Sequence, residues 1–117
     1  MAKNLVQNWI TAKNFVERNG GRFLPILQPV AYLSELAPAQ RLLVANNPAL
    51  EKQYEIVYNV IRKLASEANL VFFDATQILD DEIDVYIDFC HLNPVGNQKV
   101  AKSIDYFLSD SVTKRDL

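Results

Sequence analysis

The chain has 117 residues, half of them apolar, and its 12 basic and 14 acidic side chains leave a formal net charge of −2. This length suits a single domain spanning residues 1–117, and the near balance of charge gives no reason to expect a nucleic acid as a partner. The single cysteine, Cys90, excludes an internal disulfide and any metal site built from several cysteines.

Membrane and export signals are not recognisable in the sequence. No apolar run approaches the roughly 20 residues that cross a bilayer, and residues 1–10 carry Lys, Asn and Gln where a signal peptide needs an apolar segment. We therefore expect no transmembrane segment and no signal peptide, and we assign no cellular compartment.

The first half of the chain begins with apolar residues at helical spacing. Apolar residues recur at that spacing over residues 3–18, and the Asn-Gly-Gly at 19–21 ends the pattern, which predicts an amphipathic helix. Residues 23–30 are a short apolar run typical of a strand buried on both faces. Because Pro25 lacks a ladder donor, we expect this strand at a sheet edge, or Pro25 at a position that needs no N–H. The mixed pattern over residues 31–47 indicates a segment that leaves the sheet, with a short helix over residues 38–45.

The second half repeats a helix-start signal. Asn47 followed by Pro48, and Asn93 followed by Pro94, each combine an N-cap residue with proline at the first helical position. The first pair predicts the longest helix and the second pair the last one. The expected buried stripe of the last helix comprises Val100, Ala101, Ile104, Phe107 and Leu108.

Three further segments complete the predicted order of elements. Residues 69–74 read as a second buried strand, residues 80–84 as an acidic exposed connection, and residues 109–117 as a polar tail. This order of elements is typical of a right-handed parallel α/β unit: helix, strand, a segment that leaves the sheet, helix, strand, loop and helix. Two strands are few for such a sheet, so we expect the chain to pair with more sheet or to end a larger domain.

The segment that carries recognisable chemistry is 88–97, which reads DFCHLNPVGN. It places Asp88 three residues before His91, the only histidine, and follows both with a helix start. A neutral imidazole can take a proton from a hydroxyl nucleophile, and a neighbouring carboxylate can hold its tautomer and stabilise the imidazolium. The alternative is that Asp88 and His91 are a solvent-exposed or capping pair that does not derive from a catalytic site.

These residues resemble the last sequence block of the SGNH (GDSL-type) hydrolases, a family of serine esterases and lipases. In that block an Asp-x-x-His is followed by Asn or Pro and a glycine before the closing helix, here Asn93, Pro94 and Gly96. The strand ending in Gln-Pro, at 28–29, is similar to one found in many members. The resemblance covers nearly the whole chain as the C-terminal half of such a protein.

The resemblance implies a fold and a set of roles. The fold would be part of a flavodoxin-like three-layer α/β/α arrangement with a parallel sheet, contributing its last two strands and flanking helices. His91 would be the general base and Asp88 its orienting acid, on a loop at the carboxyl end of the sheet. An ester would be the substrate once the missing half is supplied, and no cofactor is implied.

The chain departs from the family in what it lacks. The Gly-Asp-Ser nucleophile block and the two blocks that supply oxyanion donors are absent, and the serines stand outside any such context: Ser34, Ser66, Ser103, Ser109 and Ser111. One oxyanion donor alone is worth roughly 10²- to 10³-fold in rate. We therefore predict that the isolated chain has no esterase activity.

Two other arrangements near His91 are less favoured by the sequence. A Cys90–His91 dyad conflicts with the opposite directions of consecutive side chains in extended chain, so Cys90 is interpreted as a buried bystander. The carboxylates at 80–84 with Asp88 and His91 lack the alternation and turn glycine of a hard-cation loop. We therefore expect a solvated acidic loop and no metal.

Two classes of function remain open. In the first, the chain is part of an ester hydrolase whose serine comes from a complementing chain. In the second, it is a non-catalytic truncated remnant that forms a homo-oligomer through the sheet edge near residues 23–30.

Overall fold

The computed structural model of the protein describes residues 1–110. The polar tail predicted at 109–117 thus lies almost wholly outside the described residues. In chain order the elements are α1 (Ala2–Arg18), β1 (Ile26–Leu27), a 3-10 turn η1 (Ala31–Leu33), α2 (Pro38–Val44), α3 (Pro48–Glu67), β2 (Phe73–Asp74) and α4 (Pro94–Ser109).

The predicted helix starts are confirmed, with the predicted caps in place. The side chain of Asn47 accepts a hydrogen bond from the Leu50 N–H at 3.1 Å, and that of Asn93 accepts from the Gly96 N–H at 2.9 Å. A proline follows each cap at the first helical position, where its missing N–H would have no intrahelical partner. The predicted first helix and the predicted short helix are also present, as α1 and α2.

The two strands pair in parallel, with Ile26 opposite Phe73 and Leu27 opposite Asp74. The Phe73 N–H donates to the Pro25 carbonyl oxygen, and the Ala75 N–H donates to that of Leu27, both at 2.9 Å. Pro25 therefore joins the ladder through its carbonyl group, which does not require the N–H that proline lacks.

The expected flavodoxin-like three-layer α/β/α fold is wrong. Among residues 1–110, four α-helices accompany a parallel sheet of only two strands, each two residues long, so the molecule is mostly helical. Its radius of gyration is 15.4 Å, above the roughly 13 Å of a compact domain of about 100 residues.

The local chemistry of the chain explains why the second strand is short. Asn69 adopts a left-handed conformation with φ 52° at the end of α3. The Asn69 N–H donates to Ser66 and the Leu70 N–H donates to Ala65, which is the pattern of a Schellman cap. The first residues of the predicted strand 69–74 thus belong to the C-terminal cap of α3.

The first strand ends early because the chain turns away from the sheet after Pro29. The Ala31 N–H donates to the Phe89 carbonyl oxygen at 2.8 Å instead of continuing the ladder with β2. This bond ties η1 to the loop that contains Asp88 and His91.

Two clusters of buried side chains form the core. One joins α1, β1 and α3 and consists of Ala2, Val6, Leu27, Val30, Tyr58 and Ile61. The other lies beneath the Asp88–His91 loop and consists of Ala31, Tyr32, Leu36, Ala45, Leu79, Val85 and Tyr86.

The buried stripe predicted for α4 is present only in part. Within α4 only Gly96 is buried. Val100, Ile104 and Phe107 are half-buried, whereas Ala101 and Leu108 are exposed. This helix packs through Phe107 on Phe73, with ring centroids 4.8 Å apart.

Candidate functional site

The loop over residues 85–93 is closed by its own backbone. Tyr86 and Leu92 form an antiparallel bridge. Across it, the Ile87 N–H donates to the His91 carbonyl oxygen at 2.8 Å, and the Asn93 N–H donates to that of Val85 at 2.9 Å. Val85 and Tyr86 are buried, so the loop projects from a fixed base.

Aromatic packing holds the tip of the loop from below. The Phe89 ring lies 5.9 Å from that of Tyr32 and 6.2 Å from that of Tyr54, measured between centroids. Contacts at these distances are typical of favourable aromatic pairs. Phe89 thus anchors the residues on either side of it, Asp88 and Cys90.

The structure brings the two predicted catalytic residues together. Asp88 Oδ2 lies 2.8 Å from His91 Nδ1, and Asp88 Oδ1 lies 3.0 Å from the same nitrogen. The Asp88 side chain is 48% exposed and that of His91 is 71% exposed. Since an ionised carboxylate only accepts hydrogen bonds, this geometry favours the tautomer with the proton on Nδ1.

Backbone groups fix the carboxylate of Asp88. Its Oδ1 accepts the Cys90 N–H at 2.9 Å and the His91 N–H at 2.7 Å. These backbone bonds, that of Cys90 foremost, and the His91 ring hold the pKa of Asp88 well below its usual range. The residue is therefore an anion throughout the physiological pH range.

Nε2 of His91 makes no hydrogen bond to any residue within 1–110. His91, Asp88, Gln28 and Pro29 all line an open cleft of about 620 Å³. Gln28 directly follows β1, so the cleft lies at the carboxyl end of that strand, where ligands of parallel sheets commonly bind.

The interpretation of Cys90 as a buried bystander facing away from His91 is wrong. Its Sγ lies 3.4 Å from His91 Nδ1, and the residue is partly exposed. The two backbone bonds to Asp88 Oδ1 bend the chain into a tight turn, so the opposite directions expected of extended chain do not apply. An aspartate two residues before the cysteine was the sequence signal for this turn.

Burial, followed by the negative charge of Asp88, raises the pKa of the Cys90 thiol. The thiol form is therefore favoured over the thiolate, which is the reactive nucleophile. The environment does not activate Cys90 as a nucleophile.

None of the serines within the described residues hydrogen-bonds to His91. Ser34 is buried, with its Oγ 2.6 Å from the Tyr86 hydroxyl. Ser66 lies on α3, and Ser103 and Ser109 lie on α4. Ser111 lies outside the described residues.

The acidic connection at 80–84 is partly engaged by the protein. Asp80 Oδ1 accepts the Glu35 N–H at 2.8 Å, and Glu82 pairs with Lys99 at 2.7 Å. In residues 1–110, the metal-ligating side chains that converge are instead Asp88, Cys90 and His91.

No protein-family model, curated protein or solved structure was found to match the chain. No helix within residues 1–110 has both the length and the apolar character that crossing a membrane requires.

Proposed function

We propose that this chain provides the histidine–aspartate half of a serine ester hydrolase, as its resemblance to SGNH hydrolases implies. The serine and the oxyanion donors would come from another polypeptide segment. The observation that carries the proposal is the hydrogen bond between Asp88 Oδ2 and His91 Nδ1, which leaves Nε2 without a partner in residues 1–110 beside an open cleft.

The proposed reaction is acyl transfer to water in two steps. The serine oxygen attacks the ester carbonyl carbon while His91 Nε2 accepts the serine proton, and that proton then passes to the departing alcohol. A water molecule next attacks the acyl-enzyme and gives its proton to Nε2, which returns it to the serine as the acid leaves. The ionised Asp88 stabilises the imidazolium in both steps.

A second candidate is the non-catalytic chain that self-associates. In the two-stranded sheet, the Pro25 and Leu27 carbonyls face β2, so by strand alternation the backbone groups of Ile26 face the opposite edge. No backbone bond within residues 1–110 covers that edge. Such an edge can accept a strand from a second copy or from a complementing chain.

The test is to purify the chain from its cells of origin with any polypeptide it retains, and to treat the assembly with a fluorophosphonate. Intact-mass spectrometry would locate the adduct, and a short p-nitrophenyl ester would report turnover. His91→Gln is compared with Asp105→Asn, which removes an exposed carboxylate of α4.

We expect an adduct on a serine of the co-purifying polypeptide, with labelling and turnover lost in His91→Gln and retained in Asp105→Asn. A homo-oligomer with neither labelling nor turnover would overturn the proposal in favour of the second candidate. A His91-dependent adduct on a serine of this chain would show that no complementing chain is needed.

A further inference from the structure

The turn that orients His91 also gathers three different metal-ligating groups. A carboxylate oxygen of Asp88, the Sγ of Cys90 and a ring nitrogen of His91 all lie within 4.8 Å of one another. They stand within four consecutive residues, and the closed loop at 85–93 fixes the backbone that carries them.

We propose that Asp88, Cys90 and His91 form a binding site for a divalent metal ion of the zinc class. A tetrahedral zinc ion with Zn–N of about 2.0–2.1 Å and Zn–S of about 2.3 Å places its ligand atoms about 3.3–3.6 Å apart. The distance of 3.4 Å between Cys90 Sγ and His91 Nδ1 matches this spacing. The distance of 2.8 Å between Asp88 Oδ2 and the same nitrogen is shorter, so the carboxylate has to move away from Nδ1 when the ion binds.

The carboxylate of Asp88 is arranged as a supported ligand. Its Oδ1 accepts both backbone N–H groups of the turn and lies 3.0 Å from His91 Nδ1, and Oδ2 lies 2.8 Å from the same nitrogen. When the ion binds Nδ1, the ring proton moves to Nε2 and the Cys90 thiol gives its proton to solvent. Oδ2 is then available to the ion, while Oδ1 keeps its backbone bonds. Hydrogen bonding of this kind commonly orients metal-ligating carboxylates.

The donor set indicates which ions fit. One thiolate, one imidazole nitrogen and one carboxylate oxygen suit Zn²⁺ or Co²⁺, whereas Mg²⁺ and Ca²⁺ prefer oxygen ligands only. Three protein ligands leave one position of a tetrahedron without a protein ligand. Water would complete the tetrahedron there.

The inference does not depend on the proposed function and assigns His91 Nδ1 differently. A metal at Nδ1 replaces the hydrogen bond to Asp88, so the ion and the proton relay exclude each other. Metal binding therefore has to be measured directly, without an activity readout.

The test titrates Co²⁺ into the untagged, fully reduced chain under anaerobic conditions and records its absorption spectrum. Because the chain has one cysteine and one histidine, a sulfur-to-cobalt charge-transfer band can arise only from Cys90. Cys90→Ser and Asp88→Asn remove one ligand each, and Asp105→Asn is the matched control with an exposed carboxylate removed on α4. Circular dichroism checks that each variant is folded.

We expect one Co²⁺ per chain, a charge-transfer band with tetrahedral ligand-field absorption, and displacement by Zn²⁺ but not by Mg²⁺. Loss of a group that merely orients a ligand costs about 10- to 100-fold in metal affinity, so Cys90→Ser should lose the band and at least about tenfold in affinity. Asp105→Asn should bind like the natural chain. Absence of the band at saturating Co²⁺, or equal affinity in Cys90→Ser, would overturn the proposal.

Discussion

The hydroxyl oxygens of Ser34 and Tyr86 lie 2.6 Å apart in the interior, and this hydrogen bond joins the segment after β1 to the base of the Asp88–His91 loop. Ser34 Oγ also lies 3.2 Å from the Val30 carbonyl oxygen. Burial raises the pKa of the Tyr86 phenol above its usual value, so the phenol stays neutral and keeps its proton for this bond.

The first prediction concerns this buried bond. Tyr86→Phe should lower the free energy of unfolding by about 1 kcal/mol, since a typical buried hydrogen bond contributes about that much. Ser34→Ala should act similarly, and in a double-mutant cycle the two changes together should cost less than their sum. Urea unfolding followed by circular dichroism gives the three values. Strict additivity would show that the two hydroxyls do not interact.

The second prediction compares the two asparagine caps. Asn47→Ala removes one cap bond, to the Leu50 N–H, and should cost about 1 kcal/mol. Asn93→Ala removes the bond to the Gly96 N–H and also the bond that its amide donates to the Asp84 carbonyl oxygen. We expect about twice the loss of Asn47→Ala, measured by the same unfolding assay. Equal losses would indicate that the bond to Asp84 contributes nothing.

The sequence was sufficient for the parts of the fold that depend on neighbouring residues. Both Asn-Pro helix starts follow from local hydrogen bonding, and the structure contains them. Strand length was not predictable in the same way, because residues 69–70 were available both to a strand and to the cap of α3. In the structure the Asn69 N–H donates to Ser66 and the Leu70 N–H donates to Ala65, so both residues form the cap of α3 and not a strand.

At the site, the Asp-x-x-His spacing predicted the pair that the structure places at 2.8 Å. It did not predict the position of Cys90, because side-chain direction was inferred from extended backbone. The turn around Asp88 Oδ1 reverses that inference. The burial of the apolar stripe of α4 was also predicted only in part. Helical spacing indicates that a helix has an apolar stripe, but it does not indicate whether the rest of the chain supplies a surface that covers the stripe.

The third prediction is a pH dependence at Asp74. Burial raises its pKa, but hydrogen bonds from Arg62 and Thr76 outweigh that effect and lower the pKa below its usual value. A lowered pKa stabilises the folded state above the unfolded pKa of about 3.9, and this contribution is lost as pH falls through the folded value.

Asp74→Asn should therefore cost no more than about 1 kcal/mol at neutral pH, because the Asp74 side chain is about one third exposed and solvent screens the pair. Its stability should also fall less steeply than that of the natural chain below about pH 4. Thermal melts across this range measure both effects. Asp105→Asn serves as the control, and an identical acid profile for Asp74→Asn would contradict the prediction.

The fourth prediction is that the isolated chain is inert towards esters. Ser34 is buried and bonded to Tyr86, and no serine within residues 1–110 hydrogen-bonds to His91, so His91 activates no serine hydroxyl in that part of the chain. Fluorophosphonate treatment should leave the intact mass unchanged, and a p-nitrophenyl ester should be hydrolysed no faster than with His91→Gln. A single serine adduct would contradict this.

The fifth prediction concerns the proton on the imidazole of His91. The ionised Asp88 accepts a hydrogen bond from Nδ1, so the neutral ring should carry its proton on Nδ1 and leave the Nε2 lone pair free. Asp88→Asn can present an amide N–H to Nδ1 instead, which favours the opposite tautomer. Long-range proton–nitrogen NMR in alkaline buffer distinguishes the two tautomers from a single histidine signal, because the chain has one histidine. The natural chain and Asp105→Asn should show the Nδ1–H form, and Asp88→Asn should shift towards Nε2–H. If the tautomer is the same in all three, Asp88 does not orient the ring, and the relay on which the proposed hydrolase function rests is absent.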